Sequence, residues 1–292
     1  MSQQLANGLF SGAIYALFAI GFTLVFGILR HLNLAHASIF TAGAYLGIDL
    51  VARFGVPIWT AFPLVALAGV ALGVVLERVA FRPLAGRADE HFAGLISSVA
   101  FGGMLVAALQ ARYGTQQHSF PVDAFPNRIY DIAGISISLA QVITLTVALS
   151  AMAALAWLVA ASQAGRAMRA VAENPNAARI LGVHVERVTA STYALSSALG
   201  ATAGVLMVLN VGQAHLSMGL SIELTGFAVI ILGGMGSLAG AMLAGVMLGL
   251  AESLTVHYIG SSYKDVAAFV LLFAVLLLRP QGLFGTIRVR EA

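Results

Sequence analysis

The chain alternates between long apolar stretches and short polar ones. Uncharged runs such as 5–29, 54–76 and 137–165 exceed the roughly 20 residues with which an α-helix crosses the hydrocarbon core of a bilayer. This pattern predicts an all-α fold, a polytopic transmembrane helical bundle that forms a single domain over residues 1–292. About 8–9 membrane segments are expected, near 5–29, 33–53, 56–77, 92–112, 137–160, 188–211, 221–234, 236–257 and 263–279.

Two of these segments depart from a plain membrane span, because the second opens with polar side chains and 221–234 is short. The short segment offers about 14 residues, or roughly 21 Å of helix, against a hydrocarbon core about 30 Å thick. Irregular backbone at that depth requires surrounding protein or water, so we predict a broken or re-entrant helix at both places. The alternative for each is a tilted short helix with local bilayer thinning. Transporters place broken helices beside the substrate path, so the residues predicted to line such a path are Asn33, His36, Ser38, Gly233 and Gly234.

Glycines and a short sequence match hint at internal organisation. Tyr15-Ala16-Leu17 and Tyr193-Ala194-Leu195 each precede one of the unusual polar segments, which is weak support for two related halves. Glycine pairs four residues apart allow two helix backbones to approach closely, and six such pairs predict a tightly packed bundle. They are Gly8/Gly12, Gly43/Gly47, Gly69/Gly73, Gly200/Gly204, Gly236/Gly240 and Gly245/Gly249.

Composition agrees with a membrane protein and excludes several functions. Of the 292 residues 60% are hydrophobic and only 9% charged, whereas a soluble domain usually carries about 25% charged residues. The absence of cysteine excludes disulfides and thiol chemistry. The basic residues lie in short loops, where they orient helices, so the pI near 9.5 does not predict nucleic-acid binding. The first helix is expected to act as its own insertion signal.

The basic residues divide unequally between the two sides of the predicted bundle. Four lie on the expected outer side, namely Arg53, Arg112, Arg128 and Lys264. Eleven lie on the other side, which the positive-inside rule places in the cytoplasm. They are Arg30, Arg78, Arg82, Arg87, Arg166, Arg169, Arg179, Arg187, Arg279, Arg288 and Arg290. The N-terminus is then predicted outside and the C-terminus inside.

The longest polar island, 161–188, contains a short helix with both ends marked. Asn174 can cap its N-terminus, Pro175 suits the first helical position, and Gly182 can end it in the left-handed conformation. About two turns of helix are too short to be stable alone in water. One interpretation is a cytoplasmic segment that docks on a partner protein, and the other is an ordinary polar loop.

Enzyme signatures are absent from the sequence. It has no GxxxxGK[ST] phosphate loop, no HExxH and no GxSxG, and its histidines lack metal-ligand spacing. We therefore expect no catalytic residues, no metal and no cofactor of its own. Glu252 is predicted past the midplane, where it could pair with Lys264 or Arg53 or help structure the path. Glu223 and Asp49 are interpreted as interfacial residues.

Several stretches together resemble the permease subunits of branched-chain amino acid ABC importers, the LivH type. They include YALFAIGFTLVFGILRHLNLAHASIFTAGAY at 15–45, ERVAFRPLAGR at 77–87, GRAMRAVAENPNAARILGVHVERV at 165–188, FAVIILGGMGSLAGAMLAGVMLGLAESL at 227–254 and RPQGLFG at 279–285. The resemblance covers nearly the whole chain. Ala37 stands where the family often has glycine, which stiffens the turn after His36.

The resemblance implies a pore-forming permease domain of the bacterial inner membrane. It implies a second homologous permease, two cytoplasmic ATPases that bind the ATP, a periplasmic solute-binding protein and surrounding lipid as partners. It further implies that the stretch 173–182 is the ATPase coupling segment, with contact residues Glu173, Asn174, Pro175, Ala177, Ala178, Leu181 and Gly182.

Similar permeases also serve urea, short amides or aromatic acids. A stand-alone secondary transporter or channel, or a membrane assembly factor, are the alternatives of a different class. A secondary transporter would need intramembrane acids placed for ion coupling, and the sequence has few.

Overall fold

The computed structural model describes residues 1–87, 89–121, 128–132 and 134–285. Two short strands, β1 (Ile129–Ile132) and β2 (Ile135–Ser138), accompany the helices. The helices are α1 (Ser2–Leu29), α2 (Ala35–Ala52), α3 (Ile58–Leu76), α4 (Glu90–Tyr113), α5 (Leu139–Ala161), α6 (Gln163–Glu173), α7 (Pro175–Ile180), α8 (Val185–Val211), α9 (Met218–Gly233), α10 (Leu238–Tyr258) and α11 (Lys264–Leu278). Within the described residues, eight helical stretches are long and apolar enough to cross a membrane, where α3 is counted on to Leu84 and α11 from Ser261. Helix α9 is a shorter apolar helix of 16 residues. The fold is therefore the predicted polytopic helical membrane protein.

Charged side chains gather at the two ends of the bundle. At one end, the Arg30 end, Arg82 pairs with Glu186 at 2.6 Å. At the opposite end, the Arg53 end, Asp49 pairs with both Arg53 and Arg112 at 3.1 Å. This grouping follows the predicted division of basic residues, although Arg288 and Arg290 lie outside the described residues. The assignment of the Arg30 end to the cytoplasm stays a prediction.

Small residues bring pairs of helices into backbone contact. A methyl group at Gly8 would lie 2.8 Å from the Leu250 Cα, and one at Gly12 would lie 2.8 Å from the Val246 Cα, so α1 lies directly on α10. Gly69 makes the equivalent approach between α3 and α8, since its methyl group would lie 2.9 Å from the Ala198 Cα. The predicted glycine pairs thus mediate contacts between helices of the same chain, where backbone lies directly against backbone.

The helices differ sharply in how deeply they are buried. In the most apolar window of α1, 78% of the residues are buried, whereas in that of α11 only 6% are. Both helices are strongly hydrophobic, so hydrophobicity alone does not distinguish them. A helix that is apolar on all sides lies either in a core or against lipid. We assign α1 to the core of the bundle and α11 to its lipid-facing perimeter.

Helix α2 begins at mid-depth in the bundle rather than at its end. The Leu34 N–H donates to the Ser98 hydroxyl at 3.2 Å, and a methyl group at Gly102 would lie 3.4 Å from the Ala35 Cα. Gly102 is the thirteenth of the 24 residues of α4, so α2 starts halfway along α4. The residues 30–34 therefore reach this depth without helical structure, as predicted for the second segment. From Ala35 onward, however, α2 is continuous.

Helix α9 also begins at mid-depth, but it runs in the opposite direction. Gly219 lies so close to α2 that a methyl group there would overlap the Ala37 carbonyl. At its other end α9 reaches the Arg30 end, where a methyl group at Gly27 of α1 would lie 3.1 Å from the Gly236 Cα. The stretch 212–217 that leads into α9 is non-helical. This confirms the expected short helix and places its N-terminus against that of α2.

The two strands form an antiparallel hairpin at the Arg53 end, a small exception to the predicted all-α fold. Ile129 pairs with Ser138 and Ile132 pairs with Ile135. The Gln3 side chain joins the hairpin to the start of α1, since it donates to the Ser136 carbonyl and accepts from the Ser136 N–H, both at 2.9 Å. A capping box at Ser138 and Gln141 then begins α5.

Candidate functional site

The predicted docking helix is present as α7, and its ends are built as the sequence indicates. The Asn174 side chain accepts hydrogen bonds from the N–H groups of Asn176 and Ala177, both at 3.0 Å, and Pro175 begins the helix. Gly182 follows the helix with φ +84°, a conformation that β-branched residues rarely adopt. These local contacts give a helix of six residues a defined start and a defined stop.

One side of α7 is fixed to the bundle. Ala178, which is 2% exposed, packs in a small apolar cluster with Met168 and Val171 of α6 and Val188 of α8. The cluster contacts Ile28 and Leu29 at the end of α1, so α7 is tied to the central helix. A displacement of α7 would therefore be transmitted through this cluster to the end of α1.

The C-terminal end of α7, with the Leu181 that follows it, presents large apolar side chains to the surroundings. Ile180 is 87% exposed and Leu181 is 81% exposed. Both lie at the Arg30 end, beside Arg179 and Gly182, which line a shallow cleft of about 550 Å³. A short helix that is anchored by one small residue and exposes two large apolar ones has the form of a docking surface.

His31 joins this region to α4. Its Nε2 lies 3.4 Å from Glu90 Oε1, and its Nδ1 lies 3.1 Å from the Tyr193 hydroxyl. Burial lowers the pKa of His31, and the nearby Glu90 carboxylate opposes that shift. A cleft of about 430 Å³ lies between these residues and the docking segment, and Glu173 and Pro175 are part of its lining.

A second cavity lies beside the midpoint of α4, where α2 and α9 begin. We refer to this cavity of about 510 Å³ as the mid-helix cavity. Its walls are mostly apolar, and its polar side chains are Ser38, Thr41, Ser217 and Glu223. The full lining is Leu34, Ala37, Ser38, Thr41, Val99, Gly102, Gly103, Val106, Leu216, Ser217, Gly219, Leu220 and Glu223.

The residues predicted for the substrate path lie in three different places. Ser38 lines the mid-helix cavity. His36 is fully buried between α1 and α8, where its Nε2 lies 3.2 Å from the Phe18 carbonyl and its Nδ1 lies 3.4 Å from the Ser196 hydroxyl. Asn33 is 1% exposed, and neither polar atom of its side chain has a hydrogen-bond partner among the described residues. The structure thus brings Ser38 into a cavity and buries the other two beside it.

Gly233 and Gly234 lie at the Arg30 end instead of at mid-depth. The Gly233 carbonyl accepts a hydrogen bond from the Phe284 N–H at 3.0 Å, so the segment after α11 covers the end of α9. Gly234 has φ +98° and starts the tight turn into α10. Their geometry therefore joins α9, α10 and the C-terminal segment, and a role in the substrate path stays a prediction.

Glu252 belongs to a closed polar network near the Arg53 end. Its Oε2 accepts a hydrogen bond from the Tyr15 hydroxyl at 2.8 Å and lies 3.1 Å from Lys264 Nζ. Lys264 also donates to the Tyr15 hydroxyl at 2.8 Å. Of the two partners considered from the sequence, Lys264 is therefore the actual one, and Arg53 pairs with Asp49. The network links α1, α10 and α11.

Glu223 is the residue whose position differs most from the sequence interpretation. It was expected at the membrane interface because it opens an apolar segment, but it lines the mid-helix cavity. The reason is that the non-helical stretch before α9 already descends into the bundle, so the start of the helix is not at the surface. The available signal was the length of the segment, since a helix too short to span must begin or end at depth.

Known proteins with similar sequences match this chain over nearly its whole length. Residues 4–276 match the family described as branched-chain amino acid transport system / permease component. The permease protein BraD of the high-affinity branched-chain amino acid transport system of Pseudomonas aeruginosa is 35% identical, with 99% of this chain and 97% of that protein covered. The corresponding LivH protein of Escherichia coli K12 is 34% identical over the same shares of the two chains.

A solved structure supports the fold independently. A chain of PsaBC from Streptococcus pneumoniae, solved in complex with Fab, superposes with a TM-score of 0.51 over 94% of this chain and 91% of that one. At 14% identity this likeness concerns the fold alone. The family match over residues 4–276 and the identity above 30% lead to one assignment: the chain belongs to the permease-component family of branched-chain amino acid transport systems.

Proposed function

We propose that this chain is the permease subunit of an ABC importer that carries branched-chain amino acids across the bacterial inner membrane. A second homologous permease completes the substrate path, two cytoplasmic ATPases supply the energy, and a periplasmic solute-binding protein delivers the solute. In this arrangement the Arg30 end is cytoplasmic, with the N-terminus in the periplasm and the C-terminus inside. ATP is bound by the partner subunits, and this chain holds no cofactor.

The observation that carries the proposal is the docking helix α7. Ile180 and Leu181 are more than four-fifths exposed, while Ala178 on the same helix is 2% exposed within the bundle. Two exposed aliphatic side chains suit a shallow apolar groove on a partner, and the anchored side would pass its movement to α1. Of the contact residues expected from the sequence in 173–182, Leu181 is exposed as a partner contact requires, whereas Ala178 is buried within this chain and is an anchor instead of a contact.

Reconstitution tests this function. The chain is placed in liposomes with its candidate permease, ATPase and binding-protein partners, and uptake of radiolabelled leucine is measured together with ATP hydrolysis. We expect uptake that requires all components and ATP, and none from the chain alone. Gradient-driven uptake by the chain alone would contradict the proposal and favour a secondary transporter. Uptake of urea or short amides in place of leucine would contradict the substrate only.

A further inference from the structure

The mid-helix cavity contains one acidic side chain, that of Glu223. Its Oε1 is buried, and the carboxylate makes no hydrogen bond or ion pair with any described residue. We propose that Glu223 binds the ammonium group of the transported amino acid when the solute occupies the mid-helix cavity. This inference rests on the proposed function, because that function supplies a solute with a positively charged amino group.

The depth of Glu223 makes an unpartnered carboxylate costly. The cavity lies beside Gly102 and Gly103, at the midpoint of α4, so this side chain is far from both ends of the bundle. A carboxylate at such a depth needs a cation, a hydrogen-bonding partner or water. Three cations of the Arg53 end are paired elsewhere, since Arg53 and Arg112 contact Asp49 and Lys264 contacts Glu252. The fourth, Arg128, is exposed at the start of the hairpin, at the end of the bundle. The missing partner of Glu223 is therefore expected from outside this chain.

The remainder of the cavity suits an aliphatic solute. Leu34, Val99, Val106, Leu216 and Leu220 form apolar walls, and the volume of about 510 Å³ lies within the roughly 300–1,000 Å³ typical of small-molecule sites. An apolar cavity with one carboxylate can recognise two parts of the same solute. The walls accept a branched hydrocarbon side chain, while the carboxylate requires a positive group on the same molecule.

The starts of α2 and α9 supply the complementary charge. Leu34 and Ser217, the residues that immediately precede these two helices, both line the cavity. Helix N-termini carry a partial positive charge, and in transporters the ends of helices that start within the membrane bind anionic substrate groups. The carboxylate of a zwitterion can thus lie toward the helix starts while its ammonium group faces Glu223. The cavity is therefore electrostatically complementary to both ends of an amino acid.

The test combines uptake with a chemical probe in the cavity. Ser38 lines the cavity in a chain without cysteine, so Ser38→Cys gives a single labelling site. In the complete reconstituted complex, leucine should protect this cysteine from a small thiol reagent. Glu223→Gln should lower leucine uptake about tenfold or more, because a charge-assisted hydrogen bond is lost. In the Ser38→Cys background it should also abolish the protection.

Two further variants serve as controls. Asp131→Asn removes one carboxylate charge from the exposed hairpin at the Arg53 end and should leave both uptake and protection unchanged. Glu223→Asp retains the charge on a shorter side chain and should reduce uptake less than Glu223→Gln does. Wild-type uptake and full protection in Glu223→Gln would overturn the proposal. Loss of uptake with protection retained would also overturn it, since Glu223 would then serve a structural contact, for example with a second permease.

A measurement without any change at Glu223 covers the case in which that variant does not assemble. The Ser38→Cys complex is labelled in the presence of leucine or of isocaproate, which has the carbon skeleton of leucine without the amino group. Protection by leucine alone is expected, and equal protection by both would overturn the proposal. Failure of the wild-type complex to transport leucine would instead contradict the proposed function or its proposed substrate, so this failure is distinguishable from failure of the Glu223 proposal.

Discussion

The docking helix and the mid-helix cavity are built in opposite ways. The contacts that begin and end α7 are local, from the Asn174 cap to the left-handed Gly182, and Ala178 packs the helix against the bundle. No single stretch of sequence forms the cavity, because its walls come from α2, α4 and the start of α9. One region exposes a finished apolar surface, whereas the other exists only while three distant helices stay together.

This difference teaches where each function is vulnerable. Changes to the exposed side of α7 should uncouple the partner without disturbing the fold, because those side chains make few contacts within the chain. Changes in the cavity act on space and charge in the bundle, so they should affect the passage of solute first. The experiments below test this separation, in order of decreasing expected effect.

The largest effect is expected from filling the cavity at Gly103. A methyl group built at this glycine meets nothing within 4 Å, so Gly103→Phe should enter open space without disturbing the helix packing. We expect leucine uptake by the reconstituted complex to fall more than about tenfold, since the ring would occupy the space of a bound solute. Gly103→Ala is the matched control and should transport normally. Wild-type uptake in Gly103→Phe would exclude the cavity from the substrate path.

The next effect concerns the exposed side of α7. The double variant Ile180→Asp/Leu181→Asp should fold normally, because both side chains are more than four-fifths exposed. It should reduce solute-stimulated ATP hydrolysis about tenfold, which corresponds to about 1.4 kcal/mol of lost interaction. The conservative double variant Ile180→Leu/Leu181→Ile should retain stimulation. Full stimulation in the aspartate variant, with normal subunit stoichiometry, would leave 173–182 as an ordinary loop.

A smaller effect should follow from straining the end of the docking helix. Gly182→Val places a β-branched residue at φ +84° and should cost about 1 kcal/mol or more locally. Uptake and stimulated ATP hydrolysis should fall together, and the complex should still assemble. Gly86→Val is the control, since Gly86 has φ +79°, has open space around it and lies in another loop at the same end. Equal losses in both variants would show that the effect is general strain.

Labelling sharpens the prediction that Asn33, His36 and Ser38 line the substrate path. Single cysteines at these positions are exposed to a small thiol reagent with and without leucine and ATP. Ser38→Cys should react fastest, because Ser38 already lines a cavity. Cysteines at Asn33 and His36 should react only during turnover, because both residues are buried in this structure. Failure of all three to react in any state, with wild-type uptake, would remove them from the path.

The sequence predicts most of the helices and the docking segment because their causes are local. Uncharged runs longer than a membrane core define spans, and Asn174, Pro175 and Gly182 mark the ends of α7 without reference to the rest of the chain. The prediction that α9 is too short to span the membrane likewise rests only on the number of residues in its apolar segment. These predictions need only neighbouring residues, and the structure confirms the helices and the caps of α7. The docking role of 173–182 stays a prediction.

The cavity could not be predicted in the same way. Ser38, Gly103 and Glu223 are far apart in sequence, and only the meeting of α2 and α9 beside α4 brings them to one place. The sequence predicts Ser38 in the path because it is a polar residue within a membrane segment. It predicts Glu223 at the interface only if the start of a helix lies at the membrane surface, which is not the case for α9. The error arises from the non-helical stretch 212–217, whose descent into the bundle has no periodic signal.

The glycine contacts between α1 and α10 have a consequence for how the molecule can deform. Where Gly8 and Gly12 meet Leu250 and Val246 backbone to backbone, the helices have no side-chain layer that could rearrange by rotamer changes. Such a pair behaves mechanically as one beam, and α3 with α8 forms a second one. We therefore expect the hinge of any opening motion outside these beams, where α4 packs against α2. A disulfide engineered across the first beam should be tolerated during turnover, whereas one between α2 and α4 should arrest it.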